Sequence, residues 1–196
     1  MTMSKLSHED LLSLEEYAKQ RDEFRRQAMA YKKIRRVQVG PHIMMHFENR
    51  QIMQYQIQEM LRIEKIFEVA GIQDELDAYN PLIPDGSNWK ATQMIEFEDP
   101  QVRARELARL VGVDAKTWVQ VGEHEKVYAI SDEDMERETE EKTSSVHFMR
   151  FELTTAMCDD AQSSAIIRVG IDHENYTHEV ILEAAARESL VEDIAA

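Results

Sequence analysis

TWVQV (117–121), KVYAI (126–130), SVHFMRFEL (145–153), SAIIRVGI (164–171) and YTHEVIL (176–182) follow one another in the second half of the chain. Each is short, rich in β-branched and aromatic residues, and bounded by polar or glycine-containing turns, the pattern of strands. The first two flank a short turn and predict a hairpin. Strands that succeed one another without crossover helices pair antiparallel, because a parallel pair needs a connection of about a dozen residues or more. The second half is therefore read as mostly strand, closed by a helix over about 183–194. SDEDMERETEEK (131–142) interrupts the series and reads as an exposed acidic loop.

Upstream, RVQVGPHIMMHFE (36–48) alternates, with Val37, Val39, Ile43, Met45 and Phe47 on one face. Period two predicts one half-buried strand, with Gly40-Pro41 at a bulge or edge because proline cannot donate to a ladder. Ser7-His-Glu-Asp10 has the form of a capping box and predicts a helix running to about Ile34. Its stripe of Leu14, Tyr17, Phe24, Ala28 and Tyr31 is narrow, with Arg21 filling one slot. A narrow stripe suits a helix-on-helix seam, within the domain or with a partner. Asn49 caps a helix predicted over 50–69 and stopped by Gly71. A short helix over 73–79, a turn at Pro84-Asp85-Gly86, a strand over 89–98 and a proline-led helix from Asp99 to Gly112 complete the pass. The expected fold is α+β: a single domain over 1–196, mainly antiparallel sheet packed with helices, with a long N-terminal helix.

The composition is that of a globular chain, 43% apolar and 31% charged over 196 residues. The net charge of −15 repels phosphate backbones and anionic lipid, so neither nucleic acid nor membrane is an expected partner. One local exception is basic: Arg25, Arg26, Lys32, Lys33, Arg35 and Arg36. It reads as a solvated helix end or as a surface for an anionic partner. The single cysteine, Cys158, excludes an intramolecular disulfide and a CxxC motif. With no apolar leader and no run near ~18 apolar residues, the expected location is the cytoplasm.

The helix at 50–69 carries the polar residues that stand out. With Ile52 at zero and ~100° per residue, Ile52, Met53, Ile57, Met60, Ile63, Ile66 and Phe67 fill one arc. Gln56, Glu59 and Glu64 fall at roughly 40°, 340° and 120°, inside it. A buried carboxylate must be paired, hydrogen-bonded, protonated or metal-bound. The choices are a salt bridge to Arg62, Arg50 or a distant arginine such as Arg150, a polar ligand or catalytic cleft, or a dimer interface. His46 and Glu48, alternate on one strand face at ~7 Å, could share a metal ion. Asp172-His-Glu-Asn-Tyr176 reads as a polar turn or as a general-acid or ligand set. No phosphate loop, dinucleotide fingerprint, nucleophile elbow, HExxH or di-iron Glu-x-x-His pair is present. Cys158, beside two aspartates, does not read as a nucleophile.

VGPHIMMHFENR (39–50), YQIQEMLRIEKIF (55–67), ELDAYNPLIPDG (75–86), SVHFMRFEL and GIDHENY (170–176) together resemble a bacterial family catalogued as domain of unknown function 3501. The resemblance spans roughly residues 5 to 195 and implies no activity or cofactor. Through gene association it implies a redox or oxidative-stress setting, beside a rubrerythrin-like or iron–sulfur oxidoreductase partner. Two readings of function follow. The first is a non-catalytic accessory or interaction protein, assembled as a homodimer. The second is a small metal- or ligand-binding enzyme with a polar site near Glu59 and Glu64, drawing on Gln56, Arg62, Asp172, His173 and Tyr176.

Overall fold

The computed structural model describes residues 5–131 and 143–194. A short 3-10 turn at His8–Asp10 precedes helix α1, Leu14–Ile34. Two capping boxes stand in series here. Ser7 and Asp10 close the 3-10 turn, and Ser13 with Glu16 starts the helix. The chain continues through strands β1 (Arg36–Val39) and β2 (Ile43–Phe47), helices α2 (Arg50–Glu64) and α3 (Val69–Tyr79), and β3 (Asn88–Ile95). Helix α4 (Pro100–Arg109), capped by Asp99, leads to β4 (Thr117–Val121), β5 (Val127–Tyr128) and β6 (Ile130–Ser131). After the acidic segment, which lies outside the described residues from 132 to 142, come β7 (Val146–Glu152), α5 (Thr155–Gln162), β8 (Ile167–His173), β9 (Tyr176–Ile181) and α6 (Ala184–Val191).

The strands form two sheets, both antiparallel throughout, in the orders β1-β2-β3-β7-β6 and β5-β4-β8-β9. The fold is α+β, as expected. KVYAI is divided between the sheets: Val127–Tyr128 pairs with β4 and Ile130–Ser131 with β7. One face of each sheet contributes to a shared core that includes Val39, Ile43, Met45, Phe47, Trp89 and Phe151 from the first and Val119, Val169 and Ile171 from the second. A smaller core, Ile52, Met53, Ile57, Leu61, Leu76 and Ile83, packs α2 against α3 and the N-terminal turn. Among the described residues no helix is long and apolar enough to cross a membrane.

The long helix starts at Ser13, not at Ser7, and other features differ from expectation, each for a local reason. Residues 36–48 are a hairpin, not one bulged strand: Val39 faces Ile43 and Val37 faces Met45. Odd residues pair with odd ones, so the inward alternation passes through the turn unbroken. Gly40 makes the turn with φ +69°, and a Cβ there would lie 2.5 Å from the His178 ring. Helix α2 ends at Glu64, because Lys65 adopts the left-handed conformation (φ 57°) and the Ile66 N–H reaches back to the Leu61 carbonyl at 2.9 Å. Gly71 is not the stop; it lies within α3, where a Cβ would meet Ile66 at 2.7 Å. Helix α5 was not foreseen. Thr154 caps it through the Met157 N–H, and it buries Met157, Cys158 and Ala161.

Candidate functional site

The outer face of the first sheet carries a row of four cross-strand neighbours, Arg36, His46, Thr92 and Phe148, one from each of β1, β2, β3 and β7. The last turns of α1 and the first turns of α2 stand over this face. Between them lies a cleft of about 790 Å³. Its apolar lining includes Met29, Ile52, Met53, Leu82 and Met94; its polar lining includes Lys32, Lys33, Arg36, His46, Glu48, Gln56 and Thr92. Gln56, offered by the helix arc, and the pair His46 and Glu48, offered together on the strand, thus border one space.

Glu48 sits at the end of β2 with 9% of its surface exposed. The Thr92 hydroxyl donates to its Oε1 at 2.7 Å. Burial pushes the Glu48 carboxyl above its ordinary value, against the Thr92 bond and the charges of Lys32 and Arg35. Burial likewise lowers the His46 imidazole, helped by the nearby Arg36, so this ring is held towards its neutral form. Lys32 Nζ stands 3.4 Å from Gln56 Oε1 and 5.8 Å from the centre of the Tyr55 ring. Among the described residues no three His, Cys, Asp or Glu side chains form a metal-binding group.

The other sequence candidates lie in separate local networks. Glu59 faces α1. Its Oε1 accepts from Tyr17 Oη and from Arg21 Nε, both at 2.7 Å, and its Oε2 from Arg21 Nη2 at 2.9 Å and Arg62 Nη2 at 3.1 Å. The Arg21 bonds, against partial burial, hold the Glu59 carboxyl down at about 2. Glu64 is exposed at the last position of α2. Asp172 Oδ2 accepts from Lys126 Nζ at 2.8 Å and Tyr128 Oη at 2.9 Å. Burial would raise that carboxyl, but these bonds outweigh it and hold it below its ordinary value.

His173 has both ring nitrogens engaged with backbone, Nε2 with the Val111 carbonyl at 3.1 Å and Nδ1 with the Asn175 N–H at 3.2 Å. Tyr176 Oη donates to the Val39 carbonyl at 2.7 Å and accepts from the His42 and Ile43 N–H groups at 2.9 and 3.1 Å. It fastens the β1–β2 turn to the second sheet. Among the described residues the turn Asp172–Tyr176 and the Glu59 network share no hydrogen-bonding partner. Gln56 borders the cleft together with His46 and Glu48.

Sequence reasoning passed over Gln58, which is fully buried and bonds both the N–H and the carbonyl of Leu12. The basic cluster was read as a solvated helix end or a surface for an anionic partner; Lys32 and Lys33 do lie in the last turn of α1, and with Arg36 they also border the cleft.

A family model described as "Protein of unknown function (DUF3501)" matches residues 5–194. A crystal structure of a protein of unknown function from Burkholderia pseudomallei K96243 is 46% identical and superposes with a TM-score of 0.91, over 98% of this chain and 100% of that one. No curated protein matches the chain.

Proposed function

The chain belongs to the DUF3501 family, and we propose that it is a small-molecule-binding accessory protein whose ligand occupies the cleft between α1, α2 and the first sheet. The observation that carries this reading is the convergence of Gln56, His46 and Glu48 on one space of about 790 Å³. That volume is within the roughly 300–1,000 Å³ of small-molecule sites, and its mixture of apolar wall and a few polar groups is their usual lining. The lining stands on two helices and a sheet face, elements rigid enough to hold a site. Glu59, by contrast, is committed to Arg21, Arg62 and Tyr17, which supports a structural role for it.

An accessory role in a bacterial redox or oxidative-stress module, in the cytoplasm and beside a rubrerythrin-like or iron–sulfur oxidoreductase, is compatible with this reading, since a binding protein supplies a ligand rather than a reaction. A homodimer belongs to the same proposal. The α1 stripe is used internally against α2, but Ile63, Phe67 and Val69, exposed at 60%, 73% and 72%, leave an apolar corner for a second copy. Light scattering should give the mass of two chains; the mass of one contradicts the dimer.

The cleft reading is tested by methyl NMR on protein labelled at methionine, with 1-decanol as a neutral probe. The Met29, Met53 and Met94 methyls, which line the cleft, should shift together and saturate. Met45 and Met149, buried in the core the two sheets share, should stay in place. Non-saturating shifts spread over all the methionines would overturn the reading.

A further inference from the structure

The charge of the cleft is opposite to that of the chain. The protein carries a net charge of −15, yet Lys32, Lys33 and Arg36 all border this one opening. Among the described residues none of the three forms a salt bridge, whereas the neighbouring Arg35 is buried and spent on Asp193. Lys32 and Lys33 also complement the negative end of α1, which accounts for part of their presence but not for Arg36 on β1. Glu48 is the acid of the lining, bonded to Thr92, so the cations outnumber it whether or not it is ionised. The rest of the lining includes apolar walls. Met29, Met53 and Met94 are unbranched and polarisable, side chains that adapt to the shape of an apolar guest.

From this juxtaposition we infer that the ligand is an amphipathic organic anion: a single carboxylate or phosphate head held at Lys32, Lys33 and Arg36, with an apolar body between the methionines. This rests on the cleft reading and adds the chemical class. Gln56 also lines the cleft, with its Oε1 3.4 Å from Lys32 Nζ, so its amide can meet a polar atom of the ligand next to the head. The overall negative field excludes extended polyanions from the surface, while a small anion that reaches the opening enters a local field of the other sign.

Isothermal calorimetry on the full chain, with probes kept below their micellar concentrations, tests this. Decanoate and monodecyl phosphate should each bind with one-to-one stoichiometry and about tenfold or more tighter than 1-decanol, the range expected for a charge-assisted contact. Decyltrimethylammonium should bind more weakly than 1-decanol, and inorganic phosphate alone should give no measurable heat. The double variant Lys32→Met, Arg36→Met should bring decanoate down to the affinity of 1-decanol while leaving 1-decanol unchanged. If the cation binds as well as the anions, or the double variant leaves the decanoate-to-decanol ratio intact, the anion inference is wrong and the cleft reading stands. If no probe binds, 1-decanol included, both are wrong. A preference for one anionic head over the other identifies it as carboxylate or phosphate.

Discussion

Arg21 and Glu59 meet across the seam between α1 and α2 in a two-point fork, Nε to Oε1 at 2.7 Å and Nη2 to Oε2 at 2.9 Å. Arg21 fills the gap in the apolar stripe of α1, and Glu59 the gap in the apolar arc of α2. Each polar intrusion answers the other, and the planar guanidinium suits a carboxylate better than a lysine would. The Tyr17 hydroxyl, on a side chain buried to 0% exposure, completes the network.

Replacing Glu59 by Ala should destabilise the protein by about 1–3 kcal/mol, chiefly because the Tyr17 hydroxyl is left without its acceptor. Arg21 and Arg62 are partly exposed and regain water, which keeps the loss below that of a fully buried pair. Urea denaturation checks this. Tyr17→Phe should cost less in the Glu59→Ala background than in the parent; equal costs in both would show that the two groups are not coupled.

The same pair sets a pH dependence. The folded-state value of Glu59 is about 2, below its ordinary 4.5, so in that window the unfolded chain binds more protons and stability rises with pH. The contribution is fully present above 4.5 and is lost as pH falls through 2. The stability difference between the parent and Glu59→Gln should therefore be constant above pH 5 and shrink on acidification. A constant difference down to the lowest pH would contradict it.

Arg35 and Asp193 form a buried pair of a different kind, each side chain 1% exposed. Arg35 also donates to the carbonyls of Phe47, Glu48 and Ser189, tying the end of α1 to the floor of the cleft and to α6. Burial raises the Asp193 carboxyl to about 6 despite the pull of Arg35. Asp193→Ala strands a buried guanidinium and should cost roughly 3–5 kcal/mol. Arg35→Met combined with Asp193→Leu should recover a large part of that loss in the same urea experiment. A double variant no more stable than the single one would mean that the carbonyl contacts, not the charge pair, dominate.

How far the sequence showed all this depends on the range of each interaction. Strand faces were legible, since alternation is local: Val37, Val39, Ile43, Met45 and Phe47 do face one core. The hairpin was not, because odd-to-odd pairing across Gly40 preserves the alternation that a single strand would show. The wheel turned Glu59 inward, where it meets Arg21 of α1, but it turned Ile63, Glu64 and Phe67 inward as well. Ile63 lies within α2 yet is 60% exposed, Glu64 is exposed, and Phe67, 73% exposed, lies beyond the end of α2 at Lys65. The cleft was least legible of all. Lys32, Gln56 and Thr92 belong to α1, α2 and β3, and only tertiary packing shows that they border one space.

Tyr176 was a candidate ligand residue and serves the turn. Its hydroxyl satisfies Val39, His42 and Ile43 at once, so Tyr176→Phe should lower stability by about 1–3 kcal/mol while leaving decanoate affinity unchanged. Calorimetry showing lost decanoate binding in a variant that remains folded would place Tyr176 at the ligand instead.

The most direct test of the cleft is a crystal structure of the protein grown with decanoate. The expected result is density for one chain bounded by Met29, Met53 and Met94, with the carboxylate within hydrogen-bonding reach of Lys32, Lys33 or Arg36. Density confined to other surfaces, or a decanoate lying in the cleft with its carboxylate turned away from these three cations, would contradict it.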